Sequence, residues 1–109
     1  MNFQDYHNEA RRTMDETSTQ SEQLLNSGLG LTGEVGEVAD MIKKHHFHGH
    51  PLVRDAIAKE LGDIMWYIAY CAEALDLSME DIAKMNIAKL KKRYPNGFTQ
   101  HDSIHRTDD

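Results

Sequence analysis

Apolar residues return every three or four positions through most of the chain, and no stretch alternates apolar and polar residues as a half-buried strand does. Phe3, Tyr6, Ala10 and Met14 keep helical spacing behind Asn2, a candidate N-cap, which predicts a first helix over Phe3 to Thr13. The following DETSTQSEQLLNSG is polar and rich in Ser and Thr, and reads as a loop leading into a short helical piece from Ser21 to Asn26. Leu31, Val35, Val38, Met41 and Ile42 then mark a second helix, capped by Thr32 or begun nearer Leu29, which Gly49 and Pro51 stop. Leu61, Ile64, Met65, Ile68, Ala72 and Leu75 form one stripe of a third, from about Leu52 to Leu75. Ser78 with Asp81 resembles a capping box opening a fourth, Met79 to about Arg93, which Tyr94-Pro95-Asn96-Gly97 closes in a turn. The expectation is an all-α bundle: one helical domain over residues 1–98 and a polar C-terminal tail over 99–109.

Composition narrows the function. At 109 residues and 12.5 kDa the chain is one domain's worth, and 39% hydrophobic residues suffice for a core, with a partner chain helping to bury the rest. A net charge of −6 argues against coating a nucleic-acid polymer, which takes clustered Lys and Arg. No apolar run reaches the roughly 18 residues of a membrane span, and the start lacks a signal core, so the expected location is cytoplasmic. Cys71 stands alone among apolar residues and reads as packing.

Candidate chemistry lies in two pairs of acids at one spacing. At about 100° per residue, Glu34 and Glu37 sit on neighbouring turns and can aim two carboxylates at one point, and Glu60 and Asp63 repeat the geometry. Both pairs border their apolar stripes, so packing the two helices brings four carboxylates to the rim of the core. Such a cluster either takes up protons or holds a cation. An all-oxygen donor set favours Mg²⁺, with Mn²⁺ a substitute, and Mg²⁺ bound this way keeps positions for substrate phosphates. Acids three apart are common on solvated faces; two pairs, each beside glycine (Gly33, Gly36, Gly62), are not. Asp40 extends the acidic line by a turn.

Other groups compete or assist. His45, His46, His48 and His50 form a tract able to take Zn²⁺ or Ni²⁺, but they crowd a helix end where imidazoles also bond terminal carbonyls. Lys43 and Lys44 follow the acids. Asn86 shares a face with Lys89 and with Arg93, and such cations and donors suit the remaining phosphate oxygens. Trp66, Tyr67 and Tyr70 read as packing, with one of them able to stack on a base.

The segments GLTGEVGEVADMIKK, KELGDIMWYIAYCAEALDLSMEDIA and NIAKLKKRYPNGF together resemble the MazG-like all-α nucleoside triphosphate pyrophosphohydrolases, over roughly Phe3 to Phe98. Glu34, Glu37, Glu60 and Asp63 fill that family's Glu-x-x-Glu and Glu-x-x-Asp pairs, with 22 residues between them. The resemblance implies an oligomeric four-helix fold, a homodimer or dimer of dimers, that hydrolyses a (d)NTP to (d)NMP and pyrophosphate with Mg²⁺. It makes the four acids metal ligands, with Glu37 or Glu34 orienting the water, and turns Asn86, Lys89 and Arg93 toward substrate; Lys44 joins them as a substrate-binding candidate from its place after the acids. The histidine-rich spacer departs from the pattern. The alternative is a catalytically idle helical dimer that binds a nucleotide or a protein partner.

Overall fold

Most helices of the chain begin where a side chain can satisfy the free N–H groups of the first turn. In the computed structural model, which describes residues 1–106, they are α1 (Phe3–Arg11), α2 (Gln20–His48), α3 (Arg54–Ala74), α4 (Met79–Arg93) and α5 (Gln100–Ile104). Asn2, Thr19 and Ser78 cap α1, α2 and α4, and Asp5, Glu22 and Asp81 return a bond to each cap, giving three reciprocal capping boxes. Gly49, left-handed at φ 73°, ends α2 as expected. Residues 107–109 of the expected tail lie outside the described residues; earlier in the tail, Thr99 caps the single turn of α5.

Residues 12–19 are the expected irregular stretch, but the piece from Ser21 to Asn26 is not separate from the second helix: both belong to one helix of 29 residues. The Thr19–Glu22 box starts it early, and two hydroxyls within it bond back to the helix's own backbone. Ser27 Oγ donates to the Leu24 carbonyl at 3.1 Å and Thr32 Oγ1 to the Gly28 carbonyl at 3.0 Å. Thr32 is therefore not a cap. Likewise α1 stops at Arg11, and Thr13 turns its hydroxyl back to the Ala10 carbonyl.

Packing centres on α3. α2 runs along it, while α1 and α4 lie on it and on each other. Ala10, Ala69 and Met79 form the buried centre where these last three meet. His7 joins them and is wholly buried. Its Nδ1 accepts the Met79 amide at 3.1 Å, so the ring's other nitrogen carries the proton and donates to Glu73 at 2.7 Å. Arg11 Nε donates to the same carboxylate at 3.0 and 3.2 Å. Burial alone would raise Glu73, but the bonds from His7 and Arg11 outweigh it and hold the carboxyl below its usual range.

One chain does not close into a bundle. Its radius of gyration is 16.9 Å, whereas a compact domain of this length has about 13 Å. Accessible surface tells the same story, at 8050 Å² against about 6,200 Å² for a folded monomer of this mass. On α2 the predicted stripe is split. Leu31, Val38 and Met41 are half-buried, but Val35 and Ile42 face outward with Leu25 and Leu29. Helical periodicity places residues on a common face; it does not say which face meets α3.

Candidate metal centre

Because α2 turns the Leu31, Val38 and Met41 face to α3, Glu34 lies within the seam rather than on its border, and Glu60 is half-buried across from it. Glu37 is exposed one turn along. Carboxylate oxygens of Glu34, Glu37 and Glu60 all lie within 4.8 Å of one another, the one set of three or more potential ligand side chains so gathered among the described residues. Asp63 is exposed and stands aside from this set, lining with Glu34, Thr13, Trp66 and Tyr67 an adjoining cavity of about 370 Å³.

Mutual repulsion shapes the protonation of the cluster. A hydrogen bond with Glu60 raises Glu37 most, and the negative charge of Glu60, burial and Asp63 add to it. Glu60 is raised too, first by its hydrogen bond with Glu34, while its contact with Glu37 acts in the opposite direction. One oxygen each of Glu34 and Glu60 is buried with no hydrogen-bond partner. A buried carboxylate oxygen left without a donor is costly, and a divalent cation answers both at once. The donors are all carboxylate oxygens, which fits Mg²⁺ or Mn²⁺.

The other candidates separate into distinct places. Lys44 and Lys43 pair with Asp40 at 2.8 and 3.4 Å, and Lys44 first, then Lys43, lowers the Asp40 carboxyl. Asp40 is thus a partner of lysines and no fifth member of the cluster. Asn86 lines an apolar cavity with Phe3, Met65 and Ile68, away from the acids; Lys89 is exposed and Arg93 half-buried on the same helix. The histidine tract does not gather into a three-ligand set among the described residues. Instead His45 Nδ1 donates to the His50 carbonyl at 2.8 Å, clasping the chain that leaves α2.

Two features escape a reading of the sequence. Trp66 donates from its indole to Thr13 Oγ1 at 2.7 Å, fastening the turn after α1 over the acidic cavity. A Cβ at Gly30 would overlap the Tyr67 ring, so α2 and α3 approach closely there. Gly33, Gly36 and Gly62, the glycines beside the acids, open onto space within this chain. Sequence alone does not single out Gly30; the fold packs it against Tyr67.

Residues 20–98 match the family of the MazG nucleotide pyrophosphohydrolase domain. The Gene 37 protein of Mycobacterium phage L5 is 35% identical over 82 residues, which cover 72% of each chain. No solved structure matches the sequence.

Proposed function

The chain belongs to the MazG nucleotide pyrophosphohydrolase family, and from that premise we propose that it is a Mg²⁺-dependent hydrolase of nucleoside triphosphates. The products are the nucleoside monophosphate and pyrophosphate. The observation that carries the reading is the convergence of Glu34, Glu37 and Glu60 with two buried oxygens left unpartnered.

Glu34 and Glu60 would hold the cation, and Asp63, on the wall of the next cavity, would complete the acidic rim. A bound divalent ion supplies charge neutralisation along the triphosphate and acidifies water. Glu37 is the exposed member of the set and is raised by Glu60, which suits it to orient the attacking water and take its proton.

Asn86, Lys89 and Arg93 reach a substrate at the acids only if a second copy brings α4 across, so the active form is a homo-oligomer. The surface in excess of a compact monomer's supports this, being about 1,900 Å² per chain, within the range obligate interfaces bury. So does the exposure of four large apolar side chains along α2, Leu25, Leu29, Val35 and Ile42. Light scattering of the pure protein is expected to give a dimer or a multiple of it; a monomer at assay concentration refutes this part.

The catalytic part is tested by pyrophosphate release from a nucleotide panel with Mg²⁺. Wild type is expected to release it, and Glu37→Gln and Asp63→Asn to lose it while helical circular dichroism persists. Undiminished turnover in both variants removes the acids from the chemistry, and no product from any nucleotide leaves a binding protein.

A further inference from the structure

The last helix, α5, brings two further histidines together. His101 and His105 stand four apart, so one helical turn carries both on the same face. Both are exposed, and their rings stack with centroids 4.2 Å apart and planes 21° apart. By contrast, the rings of His48 and His50 in the earlier tract lie 6.4 Å apart and are tilted by 54°.

The nitrogens of the stacked pair are already sorted. His105 Nδ1 lies 3.0 Å from the His101 carbonyl, which can only accept, so Nδ1 carries the proton and Nε2 of the neutral ring keeps its lone pair. His101 Nδ1 faces the Asp102 carboxylate at 3.6 Å, whose charge favours a proton on that same nitrogen and again leaves the lone pair on Nε2. A carbonyl or carboxylate at one ring nitrogen fixes the tautomer of metal-binding histidines and strengthens the other nitrogen as a ligand. Spacing agrees as well. Imidazole nitrogens bound to one zinc ion at about 2.0–2.1 Å lie at most about 4 Å apart, which is close to the separation of the stacked rings.

We propose that His101 and His105 form a metal clip that binds one Zn²⁺ through their two Nε2 atoms, with water in the remaining positions. Imidazole suits zinc and its neighbours, whereas the carboxylate oxygens of Glu34, Glu37 and Glu60 suit Mg²⁺ or Mn²⁺, so the chain directs two classes of divalent ion to two places. Binding also holds the helix. At five residues α5 is far shorter than the roughly 12 at which an isolated helix becomes even marginal, and an ion joining residues four apart closes its turn.

The test uses the full chain with Mg²⁺ present and Zn²⁺ alone as the probe, followed through the nitrogen resonances of the individual histidine rings. The Nε2 signals of His101 and His105 are expected to move together with a single affinity. His101→Ala and His105→Ala are each expected to weaken binding at the remaining ring at least about tenfold, a loss of about 1.4 kcal/mol. His105→Ala combined with Arg106→His keeps the number of histidines but breaks the spacing, and is expected to lose as much. The triple alanine variant of His45, His46 and His48 is expected to leave the affinity of the pair unchanged. The two rings titrating independently, wild-type affinity in the respaced variant, or zinc shifting only the His45–His50 signals overturns the proposal. No nucleotide enters the assay, so its outcome is separate from that of the hydrolase reading.

Discussion

Replacing His7 by Leu gives the most direct check on how the helices are held together. The change removes a donor to Glu73 at 2.7 Å and the acceptor of the Met79 amide at 3.1 Å, while keeping a side chain large enough to occupy the site. A hydrogen bond to a charged group contributes about 1.5 to 3 kcal/mol, and a buried N–H left unpaired costs about 1 to 3 kcal/mol. Glu73 is partly exposed and keeps Arg11, so the lower end applies to the first loss. The second applies nearly in full, because Met79 is buried and its amide belongs to the first turn of α4. The variant should lose about 3 kcal/mol. At about 4 °C or more per kcal/mol for a domain of this size, the midpoint falls by at least about 10 °C. Thermal and urea unfolding followed by circular dichroism, at fixed protein concentration, measure this. His7→Gln can accept with its oxygen and donate with its nitrogen, and should recover part of the loss. A His7→Leu variant within about 0.5 kcal/mol of wild type would falsify the assignment of His7 as the joint of α1, α3 and α4.

Stability should respond to pH differently with and without Mg²⁺. Glu37 and Glu60 are held above the ordinary 4.5 in the folded chain, so their contribution is complete below that value and is lost as pH rises through their raised values. Bound Mg²⁺ cancels that loss, and urea midpoints that decline identically with and without the ion contradict the metal site. Glu73 and Asp81, both lowered, work in the opposite sense: their contribution is present above 4.5 and 3.8 and disappears on acidification through their depressed values. Two glycines should diverge. Gly30→Ala forces a methyl onto the Tyr67 ring and costs about 1 to 3 kcal/mol. Gly33→Ala meets no atom within 4 Å and gains up to about 1 kcal/mol of helix propensity; unfolding midpoints moving the same way for both refute the contrast.

The all-helical class was legible, and so was the approach of Glu34, Glu37 and Glu60, though not that Asp63 stands aside from them, because each rests on a local rule. Ser78 and Asp81 sit at capping-box spacing, Gly49 stands where a left-handed residue must, and acids three apart share a face whatever surrounds them. Thr19 and Glu22 stand at the same spacing, but the Ser- and Thr-rich stretch around them reads as loop, which residues 12–19 are, and the unbroken run from Gln20 appears only in the folded chain. His7 carried no signal. A histidine one position from Tyr6 looks solvated until α3 and α4 supply its two partners, which lie 66 and 72 residues away. The orientation of α2 was equally invisible, since Val35 and Val38 have the same hydrophobicity and only tertiary contact separates the exposed one from the half-buried one.

Among 109 residues there is one tryptophan, and its indole is fastened to Thr13 on the rim of the acidic cavity. Indole emission from this protein therefore originates entirely at that rim. A doubly positive ion settling among the nearby carboxylates alters the electric field across the ring, so unlabelled protein offers an optical readout of cation loading. Titrations need no dye, and departure of the turn from Trp66 registers in the same signal.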